Sequence, residues 1–320
     1  MSHKPVNSIS TPITHLVGPG SLKVINGRLA YTTGHGSPTR LDPAALENVS
    51  CFGPVGVTDQ AVILLLKHNI HVAFLTSQGK SYRGCLHHLR NDTALLRIQQ
   101  CMASAKPTFK YEMAQYWVAE KITSQITAAR HYQRQGLNLG DTLSKLKVTL
   151  NKAKNAAHID VLRGVEGEAS AIWFRLLGQL LSTPWEFTKR IRRPPTDPVN
   201  AILSLGYTFL VSRTAALCEA NGLEPALGTL HEYRAGRPSL ACDIMEPLRI
   251  PAVDRWVIAL CNQNHIVRDD FLKTDKGVRL KKEIFPQVLA NWEDFWYKSG
   301  CFDQLLGFIQ HFSKSVRAIG

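Results

Sequence analysis

Absences narrow the reading of this 320-residue sequence before any motif does. No C-x-x-C pair occurs among its seven cysteines, Cys51, Cys85, Cys101, Cys218, Cys242, Cys261 and Cys301, which are odd in number and scattered. That pattern excludes a disulfide framework and argues against a structural zinc site, leaving the thiols as small buried hydrophobes. No H-E-x-x-H is present, which removes the commonest zinc-protease arrangement. Long apolar runs are missing too. The longest, AVILLL at 61–66, stops at Lys67 and His68, far short of the roughly 20 residues a membrane span needs. The opening MSHKPVNSISTPITH lacks the apolar stretch of a signal peptide, so the chain reads as soluble and cytoplasmic, with no membrane partner. Acids are the scarce charge: 25 Asp and Glu stand against 38 Lys and Arg, a formal charge of +13. An excess that size implies a polyanionic partner, nucleic acid ahead of an anionic membrane.

What is present divides near residue 95. Residues 21–33, SLKVINGRLAYTT, alternate on either side of Asn26-Gly27, the pair that suits a two-residue hairpin turn. Thr58 and Asp59 start a short helix through Leu66, and HVAFLTS and SYRGCL form a strand pair joined at a Gln-Gly-Lys turn. Beyond residue 95 the apolar spacing turns helical: 107–135 is amphipathic and stopped by Gly136, and 141–157 is basic and begun by Asp141. The expected class is therefore α+β, with a small β-rich domain carrying one helix over residues 1–95 and a larger all-α domain over 96–320.

Two acidic sites stand out in this basic chain. In GVEGEASAIWFRLLGQLL, 164–181, a helical turn of about 100° per residue puts Val165, Ala169, Ile172, Trp173, Leu176, Leu177 and Leu180 on one arc, with Glu166 inside it. Glu168 falls on the opposite, solvated face. A carboxylate on the core side is costly unless paired, and its partner is either an arginine in a buried salt bridge or a metal. The flanking Gly164 and Gly167 cost helix propensity and admit another backbone or a ligand. The second site is HEYRAGRPSLACDIMEPLR, 231–249. Ser239 after Pro238 is a plausible N-cap, so Asp243 and Glu246, three apart, share a helix face, while His231 lies across a turn from them. Salt bridges to Arg234, Arg237 and Arg249 would account for the acids. Taken together, Glu166, His231 and Glu246, with Asp243 close by, make an oxygen-rich set with one imidazole that suits Mg²⁺ or Mn²⁺ better than Zn²⁺.

Between these sites, Lys189, Arg190, Arg192 and Arg193 form a basic run before Pro194-Pro195, and Asp197 with Pro198 begins a new helix. Such a run is either a solvated surface or a contact for phosphates.

Three blocks, RGVEGEA at 163–169, RRPPTDPVNAILSLGY at 192–207 and HEYRAGRPSLACDIME at 231–246, resemble in order and spacing the CRISPR-associated protein-one family. The resemblance implies a metal-dependent DNA integrase and endonuclease of spacer acquisition, with an N-terminal β domain that forms a homodimer and a helical catalytic domain. It puts the metal ligands at Glu166, His231 and Glu246, and a supporting acid at Asp243. Arg192, Arg193, Arg234 and Arg237, with Lys189 and Arg190, would bind DNA. The implied partners are double-stranded DNA, as captured fragment and as repeat array, and the small CRISPR-associated protein two; whether an end-trimming nuclease joins them is left open by the sequence. The implied chemistry is attack of a DNA 3′-hydroxyl on a phosphodiester at the edge of a repeat. Trp173 stands where the family pattern suggests a tyrosine, and Ser170 where it suggests alanine or a larger residue. The rival readings are a non-catalytic DNA-binding scaffold with a degenerate metal site and a small-molecule metal hydrolase, which has no need of a charge of +13.

Overall fold

A computed structural model describes residues 8–9, 13–34, 36–46, 48–77, 82–87, 93–182 and 185–319. The chain divides into two units, Met1–Asn91 and Asp92–Gly320. The α+β class read from the sequence is observed, and the division falls slightly before the change in texture at 95.

The first unit holds strands β1 (Ser8–Ile9), β2 (Ile13–Val17), β3 (Gly20–Ile25), β4 (Arg28–Thr32), β5 (Thr39–Leu41), β6 (Asn48–Phe52), β7 (Val55–Val57), β8 (His71–Leu75) and β9 (Tyr82–Leu86), with helix α1 (Asp59–Lys67). They make a five-stranded sheet in the order β1-β5-β4-β3-β7 and a four-stranded one in the order β2-β6-β8-β9. The β3–β4 hairpin turns at Asn26 and Gly27, both at positive φ (50° and 73°), as the Asn-Gly pair requires. β2, β6 and β8 run parallel, and every residue of β6 is buried, the signature of a strand covered on both faces. Leu16, Leu22, Leu29, Val49, Leu65 and Val72 share one core. The Tyr31 hydroxyl donates to the Val17 carbonyl at 2.6 Å and ties one sheet to the other. Thr58 caps α1, its hydroxyl accepting from the Ala61 amide at 3.4 Å. β8 and β9 pair antiparallel as expected, and their Gln-Gly-Lys turn lies outside the described residues.

The second unit is built on α2 (Ala94–Ser104), α3 (Pro107–Arg134), α4 (Thr142–Lys154), α5 (Ile159–Leu180) and α6 (Pro198–Ala220), followed by α7 (Ser239–Ile244), α8 (Arg255–Asn262), α9 (Phe285–Lys298) and α10 (Cys301–Arg317). Val118, Ile122, Ile126 and Ala129 of α3 pack with Leu146 and Ala153 of α4 and with Leu162, Val165, Ala169 and Trp173 of α5. Among the described residues α6 alone is long and apolar enough to cross a membrane, but 67% of its apolar window is buried inside the protein, which marks a core helix. A short hairpin, β10 (Phe271–Thr274) and β11 (Gly277–Leu280), interrupts the helices; the Val278 amide donates to the Pro195 carbonyl at 2.8 Å, so it braces the Pro-Pro turn. None of the seven cysteines is in a disulfide.

Asp197 caps α6, accepting from the Asn200 amide at 2.8 Å, with Pro198 in the first turn. Asn200 in turn accepts from the Ile191 amide at 2.8 Å and from Arg190 Nη1 at 2.9 Å, tying the basic run to the helix start. Asp197→Ala should cost about 1–2 kcal/mol, the usual loss for a cap, and lower Tm by a few degrees in a thermal scan.

Candidate functional site

Two helices and a distorted turn bring the acids together. α5 presents Glu166 toward α3, where Lys121 lies in line with Trp117 and Gln125 on the core-facing stripe. Lys121 Nζ pairs with Glu166 Oε1 and lies 2.7 Å from Glu246 Oε2. Arg249 holds the other oxygen of Glu246 at 2.8 Å. Ser170, one turn along α5, donates to Glu166 Oε1 at 2.9 Å, so its hydroxyl belongs to the site. Burial alone would push the Glu246 carboxyl up, but Arg249, Lys121 and His231 outweigh it and bring the pKa down to about 2. Glu166 is less enclosed; burial again opposes, and Lys121 wins, so its pKa is lowered. Glu168 is exposed, 3.0 Å from Lys152, on the opposite face as its helical phase predicts.

The helix expected over 239–248 is cut short. α7 ends at Ile244, Glu246–Leu248 form a 3₁₀ turn and Arg249–Asp254 a π-helical stretch. Pro247 and Pro251 explain this: neither can donate a backbone hydrogen bond, and each ring crowds the carbonyl four residues before it. Ser239 is the first helical residue rather than the cap, and its hydroxyl donates to the Glu232 carbonyl at 2.9 Å. Asp243 and Glu246 therefore serve different partners.

Asp243 is fully buried and acts only as an acceptor. It takes the backbone amides of Thr229, Leu230 and His231 at 2.5, 3.0 and 3.0 Å, and the Thr229 hydroxyl at 3.2 Å. Its Oδ1 also lies 2.6 Å from His231 Nδ1. A carboxylate committed to accepting fixes the proton on Nδ1 and leaves Nε2 as the lone-pair nitrogen. Gly228 makes the loop possible, since a Cβ there would fall 2.5 Å from the His231 carbonyl oxygen. Arg163, one turn before Glu166, donates to the Leu230 carbonyl at 3.1 Å and pairs with Glu232 at 2.8 Å, so α5 also holds the histidine loop.

Behind the acids, Asp254 accepts from Trp173 Nε1 at 2.7 Å and from the Tyr207 hydroxyl at 2.5 Å. Burial raises its pKa to about 6 against the pull of those donors and of Arg249. The Tyr207 ring also carries Arg249 at 4.7 Å and Arg190 at 5.5 Å.

The basic residues separate into two groups. Arg190 donates to Asn200 and, at 2.9 Å, to Ser204, and Arg237 binds the Glu232 carbonyl and Ser239, so both brace the protein itself. Both were expected among the phosphate contacts, and each has this structural role as well. Lys189, Arg192, Arg193 and Arg234 are exposed. A Cβ on Gly164 or Gly167 would meet no atom within 4 Å, so no other backbone approaches α5 at either glycine.

Lys121, Arg163, Tyr207 and Asp254 were missed by motif reasoning. Lys121 had the same signal as Glu166, a charge inside an apolar helical stripe; the other three carry no such mark.

The donor chemistry suits a divalent cation. Two carboxylates face one positive centre, Glu246 Oε2 is buried without a hydrogen bond despite the nearby ammonium, and His231 has a fixed tautomer. The spacing is that of an ammonium-bridged pair: Glu166, His231 and Glu246 are not a group whose ligand atoms all lie within 4.8 Å of one another.

Paired acids and an oriented imidazole on a helical unit of a basic chain suit chemistry on a polyanion. The family described as CRISPR associated protein Cas1 matches residues 14–294. CRISPR-associated endonuclease Cas1 3 of Thermus thermophilus is 34% identical over 288 residues, covering 86% of this chain and 84% of the relative. A solved CAS1 protein from Thermotoga maritima superposes with a TM-score of 0.80 over 97% of both chains at 21% identity, a likeness of fold. A chain of a Cas6-RT-Cas1–Cas2 complex gives a TM-score of 0.72 at 27% identity, covering 91% of this chain and 33% of that one. The chain belongs to the CRISPR-associated protein Cas1 family, and with it to the nucleases.

Proposed function

We propose that this protein is a metal-dependent DNA endonuclease and integrase of CRISPR adaptation, which joins the 3′-hydroxyl ends of captured double-stranded DNA to a repeat array. The observation that carries the reading is the convergence of Glu166 and Glu246 on one cation beside a histidine oriented by Asp243. Glu166, His231 and Glu246 would hold Mg²⁺ or Mn²⁺, and Asp243 acts through His231. The ion, when bound, supplies positive charge to the phosphate under attack. Arg163 keeps the histidine loop against α5, and Lys189, Arg192, Arg193 and Arg234 bind backbone phosphates and orient the strand.

The nucleophile comes from DNA or water. Cys242, the thiol next to Asp243, is held protonated by burial, its pKa pushed up to about 11, and His231 is tied to Asp243 rather than to a serine or cysteine. A homodimer formed through the β unit, with Cas2 as further partner, is part of the same proposal; the solved relative in a complex with Cas2 supports the second element.

Mixed with Cas2, a short duplex with free 3′-hydroxyl ends should become covalently joined to a plasmid carrying a repeat array, and a chelator should stop it. Dideoxy 3′ ends should block joining while nicking of branched DNA continues, because only the attacking hydroxyl is gone. Joining of dideoxy ends, or a covalent protein–DNA adduct, defeats the mechanism. Unchanged DNA binding with no metal-dependent chemistry would favour the scaffold reading.

A further inference from the structure

Lys121 is a cation already built into the site. Its side chain is 4% exposed, its ammonium pairs with Glu166 Oε1, and it sits 2.7 Å from Glu246 Oε2. A divalent ion held by the same two carboxylates would take the place between them that the ammonium now fills. The two cations compete for one position.

Charge and geometry decide which of them yields. Glu166 and Glu246 are balanced by Lys121 and Arg249, so a divalent ion added to these four groups is an excess of two positive charges in a largely buried site, with Asp254 a further acid nearby. Loss of one basic partner halves that excess. Arg249 is the worse candidate to leave, since it is held by Glu246 at 2.8 Å and stacked on Tyr207 at 4.7 Å. Lys121 has a flexible four-carbon stem and no ring contact to give up. Its departure also lets the two carboxylates and His231 close on one another, since in the ammonium-bridged state their ligand atoms do not all lie within 4.8 Å.

We propose that Lys121 is a resident occupant of the metal position: a divalent cation binds by exchange with its ammonium, and Lys121 keeps the two carboxylates paired when metal is absent. The inference rests on the metal reading above and deepens it. Two opposite effects follow from one side chain. Lys121 stabilises the metal-free protein, and it lowers the affinity for metal.

The test is Mn²⁺ binding to the DNA-free protein, followed by the electron spin resonance of free Mn²⁺, for the unsubstituted chain, Lys121→Gln and Lys121→Met, with Lys152→Gln as a surface control. Both Lys121 variants should bind Mn²⁺ about tenfold or more tightly, a gain of ~1.4 kcal/mol, and Mg²⁺ should raise their Tm by more than it raises that of the unsubstituted protein. The control should bind as the unsubstituted chain does. Measurable Mn²⁺ binding with no gain, or a loss, in folded Lys121 variants overturns the exchange and leaves the metal reading standing. No Mn²⁺ binding by any of the proteins overturns both. If neither variant folds, the side-chain ¹³Cε resonance of Lys121, assigned with Lys121→Arg, decides in the unsubstituted protein: it should move with Mg²⁺ along the binding curve, and a resonance that stays put while Mg²⁺ binds refutes the exchange.

Discussion

Glu166→Gln should reduce DNA joining and nicking at least about a hundredfold, while Glu168→Ala keeps most of both. Loss of a group that merely supports a metal ligand costs about 10–100-fold, and a ligand itself costs more. The two glutamates are two residues apart on α5 yet face opposite ways, Glu166 toward Lys121 and Glu168 toward solvent and Lys152. Glutamine keeps the shape and an oxygen for the Ser170 hydroxyl, so the fold should survive, as circular dichroism can confirm. Equal losses in the two folded variants would show that the choice of ligand is wrong.

Asp243→Ala should be the most destabilising single change in the site, by about 3–5 kcal/mol in urea unfolding. It strands the buried amides of Thr229 and Leu230, the part-buried amide of His231 and the Thr229 hydroxyl at once, and it releases the His231 ring. Joining activity should fall with it, even at temperatures where the variant is folded, because the tautomer and aim of His231 are no longer fixed. His231→Ala, by contrast, should lose activity with little loss of stability, since its half-exposed ring leaves Asp243 with its backbone donors. An Asp243→Ala protein with an unchanged urea midpoint and unchanged hydrogen exchange at residues 229–231 would contradict the role assigned here.

Local chemistry was legible in the sequence wherever it was written in neighbouring residues. Asn26-Gly27 fixed a hairpin, Asp197-Pro198 a helix start, and the phase of Glu166 against Glu168 a buried and a solvated acid. What escaped depends on residues far apart in the chain. The cation beside Glu166 turned out to be Lys121, from a helix 45 positions earlier, where an arginine or a metal was the expected partner. Asp243 and Glu246 were placed on one helix face because Pro247 and Pro251 were not weighed against the helical spacing. Arg190 read as one more charge in a basic run, and only the folded chain shows its fork closed around Asn200 and Ser204. The β10–β11 hairpin leaves little alternation in the sequence, because FLKT and GVRL are short and the first strand is mostly exposed.

The carboxylate pair draws on both ends of a long stretch, with Lys121 and Glu166 early and Glu246 and Arg249 some eighty residues after the first acid. A ribosome delivers these in order. A growing chain that has reached Glu166 possesses a single acid and its ammonium partner, and the second acid arrives only after α6, the core helix, has been made. On the proposed ligand set, cutting power would appear late and all at once, when the turn holding Glu246 docks on α3, and a chain halted before that turn would carry no assembled blade.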